Sequence, residues 1–175
     1  MIAAIAVLAG ATAVGLGLLG IGLIGMARHP AGTPEPVSST PAAPRTTQTS
    51  PSALTVAMRE WESRAGDHFT ESARALDQVS QAAERGEVAG VRMGCQRLHD
   101  TNAVGLQADL PTPDPALTAE LQRMIDDVNT AAHACLRFAD SRNDDDATTY
   151  QTYLARAIDH LTAAKQILNE DLGKG

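Results

Sequence analysis

The residues with the most chemical potential in this chain are two cysteines, each with a histidine close by. Cys95 and His99 stand four apart in RMGCQRLHDTN, and His133 stands two before Cys135 in TAAHACLRFAD. Thiolate and imidazole are preferred zinc ligands, and a thiol beside a base can act as a nucleophile. Two cysteines alone can form a disulfide. Three chemistries therefore compete for these four residues.

Helical geometry argues against one of these chemistries, the zinc site. Cys95 and His99 share a helix face, but His133 and Cys135 differ by about 200° around a helix axis, which disfavours a four-ligand zinc site. A cysteine inside an apolar stripe is more often inert than reactive. The chain has no Glu-x-x-His pair, nucleophile elbow, phosphate loop or nucleotide fingerprint. We therefore predict no catalytic residue, no metal site, no cofactor and no enzyme, with a haem held by a pair such as His99 and Met124 as an open alternative.

Hydrophobic residues recur at three- and four-residue spacing throughout residues 53–175, which is typical of amphipathic helices. No strand pattern competes with this periodicity. The predicted fold class is all-α, an up-down four-helix bundle. The four stripes consist of Leu54, Met58, Trp61, Ala65, Phe69, Leu76, Val79 and Ala83; Val88, Val91, Cys95, Leu98, Asn102 and Leu106; Leu117, Leu121, Met124, Val128, Ala132 and Cys135; and Tyr150, Leu154, Ala157, Leu161, Ala164 and Leu168.

Glycine, proline and acidic residues mark the predicted helix ends. Gly86 ends the first helix, in which Gly66 is a possible weak point. The prolines of LPTPDP at 110–115 stop the second helix, while Asp114 and Pro115 suit the N-cap and first position of the third. The segment DSRNDDDATT at 140–149 is a predicted polar break, and its acidic residues are well placed for the N-terminus of the fourth helix. Gly173 follows that helix as a stop signal.

The stripes place Cys95 and Cys135 on neighbouring helices, both pointing inward. A bond between them would close a loop of 40 residues, worth about 4 kcal/mol by the chain-entropy estimate. One geometric difficulty is that the midpoint of the pair falls near residue 115 whereas the turn is centred near 112–113, a slip of about 7 Å along one helix. An asymmetric turn would absorb it. We predict a Cys95–Cys135 disulfide, and two reduced core thiols or a metal or catalytic role remain the alternatives.

The N-terminal part of the chain has a different composition. Residues 2–27 carry no charge and only one polar side chain, and roughly 20 apolar residues suffice to cross a bilayer. Residues 28–52 hold six of the nine prolines and nine Ser or Thr, which is typical of a disordered stalk. We predict a transmembrane anchor or signal-anchor at 1–27, a linker at 28–52 and a bundle domain at 53–175. Cleavage near Ala27, giving a secreted domain, is the alternative.

Charge limits the partners of the domain. Residues 53–175 hold 12 basic and 20 acidic side chains, a net charge of −8, and the few aromatics are not interleaved with basic residues. Such a surface does not attract phosphate backbones, so we predict no nucleic-acid partner. Arg28 and Arg45, after the apolar segment, weakly favour a cytoplasmic domain by the positive-inside rule, whereas the stalk and the cysteine pair favour an exported one.

The apolar N-terminus, the Pro/Thr-rich stalk, MGCQRLHD, LPTPDPALTAELQ and AAHACLRF, with twelve Arg to two Lys, resemble the layout of small exported helical proteins of high-GC actinobacteria. The resemblance implies an envelope location and a cysteine pair, and it implies no catalytic residue. The expected function is that of a membrane-anchored extracytoplasmic binding or scaffold protein, with an envelope protein or a small ligand as partner. A small-ligand or haem carrier and a cytoplasm-facing membrane adaptor are the alternatives.

Overall fold

The structure, a computed structural model, describes residues 51–173, with side chains from residue 53 onward. It consists of helices α1 (Pro51–Glu84), α2 (Val88–His99), α3 (Pro115–Ser141) and α4 (Asp144–Gly173), with a π-helical segment, Asp100–Leu106, continuing α2. Within these residues there is no strand, which confirms the predicted all-α class with four helices. The predicted anchor and nearly all of the predicted linker lie outside the described residues, and no described helix is long and apolar enough to cross a membrane.

Helix α1 is continuous through Gly66, the predicted weak point, because its apolar stripe is buried on both sides of that residue. The helix ends where predicted. Gly86 adopts φ +70°, in the left-handed region that glycine reaches without strain, and the amide of Glu87 donates to the carbonyl oxygen of Ala82 at 2.8 Å. The chain therefore reverses within a few residues and α2 returns along α1.

Close approach of α1 and α2 depends on glycines of α2. A Cβ on Gly90 would lie 2.7 Å from the Cβ of Ala82, and one on Gly94 would lie 2.6 Å from Val79 Cγ2 and 3.0 Å from its backbone nitrogen. The two helices run antiparallel, as these pairings show. The absence of side chains at the two glycines lets the backbones come together and bury Val79.

The connection between α2 and α3 follows the predicted capping pattern. Asp114 Oδ1 accepts a hydrogen bond from the Leu117 amide at 2.8 Å, and Pro115 occupies the first turn, where its missing N–H leaves nothing unpaired. Thr112 and Thr118 share a hydrogen bond between their hydroxyl oxygens at 2.9 Å, which fixes the segment onto the start of α3.

The predicted break at 140–149 is wrong in extent. Helix α3 continues through Ser141 and α4 begins at Asp144, so only two residues separate the helices. Arg142 adopts the left-handed conformation, φ 58°, and ends α3, and the side chain of Asn143 accepts a hydrogen bond from the Asp145 amide at 3.0 Å. The acidic residues at 144–146 form the first turn of α4, as predicted for the N-terminus of the fourth helix, and their negative charge there interacts favourably with the helix dipole.

Helices adjacent in the chain pack against each other, and α4 closes the bundle more lightly against α1. That last contact includes the hydroxyl of Thr55 donating to the carbonyl oxygen of Asp171 at 3.0 Å. The core between the helices is rich in alanine, and its largest fully buried side chains include Trp61, Met58 and Leu121. Alanine lets helices approach closely but contributes little apolar area, so further constraints between helices matter for stability.

Candidate functional site

The two cysteines meet at the centre of the α2–α3 interface. Each is 0% exposed, and their Cα atoms are 5.9 Å apart. Disulfide-bonded cysteines usually have Cα atoms 4.4–6.8 Å apart. The predicted pairing is therefore at disulfide distance. Both residues belong to one cluster of buried side chains that includes Val91, Ala131 and Phe138.

The expected offset between the midpoint of the cysteine pair and the centre of the turn is accounted for by the connection between α2 and α3. Helices α2 and α3 are antiparallel, since Gln107 and Gln122 near the connection exchange side-chain hydrogen bonds at 3.0 Å while Arg92 reaches Asp140 at the far end. The connection at 109–114 is not a symmetric tight turn, because it includes a short irregular stretch before Asp114 caps α3. This asymmetry lets Cys95 face Cys135.

The two histidines beside the cysteines also come together, which the sequence did not predict. The imidazole rings of His99 and His133 have centroids 4.9 Å apart with 62° between their planes. His99 is partly buried at the end of α2 and His133 is exposed on α3. The ring pair thus lies toward solvent, while Cys95 and Cys135 lie inside.

Asp100 orients the ring of His99. Its Oδ1 lies 3.1 Å from His99 Nδ1 and also accepts a hydrogen bond from Gln96 Nε2 at 2.9 Å. The hydrogen bond from His99 is the main reason why the pKa of Asp100 falls below its usual value of 3.8. In the tautomer whose Nδ1–H donates to Asp100, Nε2 is the ring nitrogen that can bind a further group.

The described residues contain no group of three or more His, Cys, Asp or Glu side chains placed to hold a metal ion. Cys135 and His133 point in different directions from α3, as their separation of about 200° around the helix axis predicted. Cys135 points into the core and His133 points to solvent.

The π-helical segment packs onto α1 through polar contacts that the sequence did not reveal. Asn102, assigned to an apolar stripe, is 2% exposed and donates through Nδ2 to Ser72 Oγ and to the Leu98 carbonyl oxygen, each at 2.9 Å. The ring of His68 lies over Gly105, where an added Cβ would be 2.7 Å from the ring. The amide of Asn102 therefore ties the widened turn to α1.

Trp61 and His68, both on α1, hold the start of the α2–α3 connection. Trp61 Nε1 donates to the carbonyl oxygen of Asp109 at 2.9 Å, and His68 Nε2 lies 3.5 Å from Asp109 Oδ2. The indole body is buried in the core while its N–H binds the connection. These contacts explain why the asymmetric connection has a defined position.

A charged network joins α3 to α4 on the other side of the bundle. His160 Nδ1 lies 2.8 Å from Glu120 Oε2 and its Nε2 lies 3.7 Å from Asp127 Oδ2, while Arg156 lies 3.2 Å from Asp127 Oδ1. The contact with His160 is the main reason why the pKa of Glu120 falls below its usual value of 4.5. Asp127 is buried, so Arg156 compensates its charge.

A small pocket lies among the described helices. This pocket lies near the α1–α2 turn, is lined by residues that include Gly86, Val91, Phe138 and Arg142, and has a volume of about 10 Å³. Such a volume holds about one water molecule. Met124, considered above as a haem ligand, is 4% exposed and belongs to the packed core.

Comparisons of the chain with family models, with curated proteins and with solved structures give no match.

Proposed function

We propose that the protein is a membrane-anchored binding or scaffold protein of the cell envelope, without enzymatic activity, whose helical domain lies on the extracytoplasmic side. The observation that carries this proposal is the cysteine pair. Cys95 and Cys135 are fully buried and at disulfide distance across two helices. Disulfides persist in oxidising compartments and are rare in the cytosol.

The N-terminal sequence supports the same location. The uncharged residues 2–27 are long enough to cross a membrane, and residues 28–52 have the composition of an extended stalk. A stalk of this length separates a domain from the bilayer surface by tens of ångströms, roughly 3.1 Å per residue when extended. That arrangement suits a domain that contacts another envelope component.

Exposed apolar side chains on α2 and its π-helical continuation support a binding role. Met93 is 59% exposed and Val104 is 65% exposed, on the side of this chain segment that faces away from the core. We infer that the surface carrying Met93 and Val104, the proposed face, contacts the partner, an envelope protein, because methionine is enriched in protein–protein interfaces relative to the rest of the surface.

Localisation is tested by fractionation together with a C-terminal topology reporter that is active only outside the cytoplasm. The proposal predicts a membrane-bound chain with an active reporter. A membrane-bound chain with an inactive reporter would instead support a cytoplasm-facing adaptor, which the arginines at 28 and 45 favour. Release of a shorter soluble chain would indicate cleavage near Ala27.

The binding role is tested by cross-linking in intact cells with the wild-type chain and with a Met93→Glu, Val104→Glu variant. A specific cross-linked species that the double variant loses would support the proposed face. Substitution at Arg59, which is exposed on α1, is the matched control and should leave the species unchanged. Equal cross-linking of all three chains would contradict the proposed face.

A further inference from the structure

We propose that His99 and His133 form a binding site for a divalent transition-metal ion of the zinc and copper class, which would bridge α2 and α3 on the outside of the cysteine pair. This site goes beyond the proposed envelope function and does not depend on it. It rests on the distance between the two rings, on the hydrogen-bond partner of His99 and on the position of both residues at the surface.

The separation of the rings matches a shared ion. With a metal–nitrogen bond of about 2.1 Å and bond angles between octahedral and tetrahedral values, two ligating imidazoles have centroids roughly 4.5 to 5.2 Å apart. The observed distance is 4.9 Å, and the 62° between the planes leaves the rings edge to face instead of stacked. Binding of one ion by both residues requires the rings to rotate about their side-chain torsions until one nitrogen of each points at the same position.

The partner of His99 has the arrangement found around metal-binding histidines. Such a histidine usually donates its second ring N–H to a carboxylate or carbonyl oxygen, which fixes the tautomer and makes the ligating nitrogen more basic. Asp100 Oδ1 lies 3.1 Å from His99 Nδ1 and is itself held by Gln96. His99 Nε2 is thereby assigned as the ligating atom.

The surroundings favour a site in which the protein supplies only part of the ion's ligands. Because the described residues supply no third ligand group, water would fill the remaining positions of the ion. The net charge of the chain, −7, raises the local concentration of cations. Copper(II) binds imidazole most strongly in the divalent series, and protons compete with any metal for the same nitrogens.

The test is a copper(II) titration of the full-length, detergent-solubilised protein, purified without a histidine tag and followed by electron paramagnetic resonance. The chain has five histidines. We expect one equivalent to bind first, with nitrogen hyperfine structure from two imidazoles and with binding that weakens as the pH is lowered. His99→Gln and His133→Gln should each remove this phase, and Asp100→Asn should weaken it by about tenfold.

His160→Gln is the matched control, since His160 lies on α4 away from this pair, and it should keep the first equivalent. Thermal unfolding of the metal-free variants separates loss of the site from loss of the fold. Because His133 is exposed, its substitution should leave the metal-free melting temperature unchanged. A wild-type chain without an equimolar two-imidazole phase, or a His99→Gln, His133→Gln chain that retains it, would overturn the proposal.

Discussion

Opening the Cys95–Cys135 link should remove a large part of the stability of the domain. The two residues are 40 positions apart. Closing a loop of that length reduces the entropy of the unfolded chain by an amount worth about 4 kcal/mol at 25 °C. A domain of this size is stable by only about 5–15 kcal/mol, so the link accounts for a substantial fraction.

The perturbation is made in two independent ways. In the first, the wild-type protein is reduced in denaturant and refolded with reductant present, because both sulfurs are buried and reductant does not reach them in the native state. In the second, both residues are replaced by alanine. The losses in the free energy of unfolding that the two perturbations cause should agree to within the packing contribution of the sulfur atoms, which is on the order of 1 kcal/mol per buried group.

Urea unfolding measures the effect. With a slope of about 1–3 kcal/mol/M, a loss of about 4 kcal/mol lowers the midpoint by roughly 1.3 to 4 M. The double alanine variant should itself be insensitive to reductant, which is the internal control. A wild-type midpoint that reduction leaves unchanged would refute the reasoning, since the loop would then not be closed by a bond.

Four further predictions concern single positions. Gly94→Ala should lower the free energy of unfolding by about 1–3 kcal/mol because its Cβ would overlap α1. Gly66→Ala should raise the free energy of unfolding by about 0.5–1 kcal/mol, because nothing lies within 4 Å of the added methyl. If urea unfolding showed that both glycine substitutions change stability in the same direction, the packing described would be contradicted. Asp114→Ala removes the N-cap of α3 and should cost about 1 kcal/mol in the same assay, with loss of helical ellipticity at a lower temperature. Because the pKa of Glu120 is lowered, its carboxylate stabilises the fold at pH values above 4.5, the usual pKa of the group, and this stabilisation is lost as the pH falls through the folded-state pKa. Glu120→Gln should therefore flatten the pH dependence of the free energy of unfolding below about pH 4.5. An unchanged acid profile would rule out this contribution.

Local signals predicted the helices well where the residues determine the backbone directly. Gly86 ended α1 and Asp114 capped α3 because each acts through its own conformation or side chain. The acidic run at 144–146 was assigned correctly to the N-terminus of the fourth helix, but the predicted break extended to residue 149, into α4. Aspartates are favoured both in loops and in the first helical turn, and only the conformation of Arg142 decides which applies.

Sites formed between helices were harder to predict. The cysteine pairing followed from stripe positions. The contact between the rings of His99 and His133 did not, because the same antiparallel register sets Ala131 opposite His99 and the helix periodicity turns His133 away from Cys135. The π-helical turn had no sequence signal that we recognised. Asn102 was assigned to an apolar stripe, although a buried amide at such a position indicates a specific polar contact between helices.

The central claim is that the bundle lies outside the cytoplasm with Cys95 bonded to Cys135. Thiol labelling of the full-length protein in intact cells, with a membrane-impermeant alkylating reagent, tests both parts directly. Labelling is measured before reduction, after reduction, and after reduction under denaturing conditions, because both cysteines are 0% exposed. The account predicts labelling that requires reductant, together with denaturant because both thiols are buried. Free thiols that are reached only after lysis would contradict it and would place the domain in the cytoplasm.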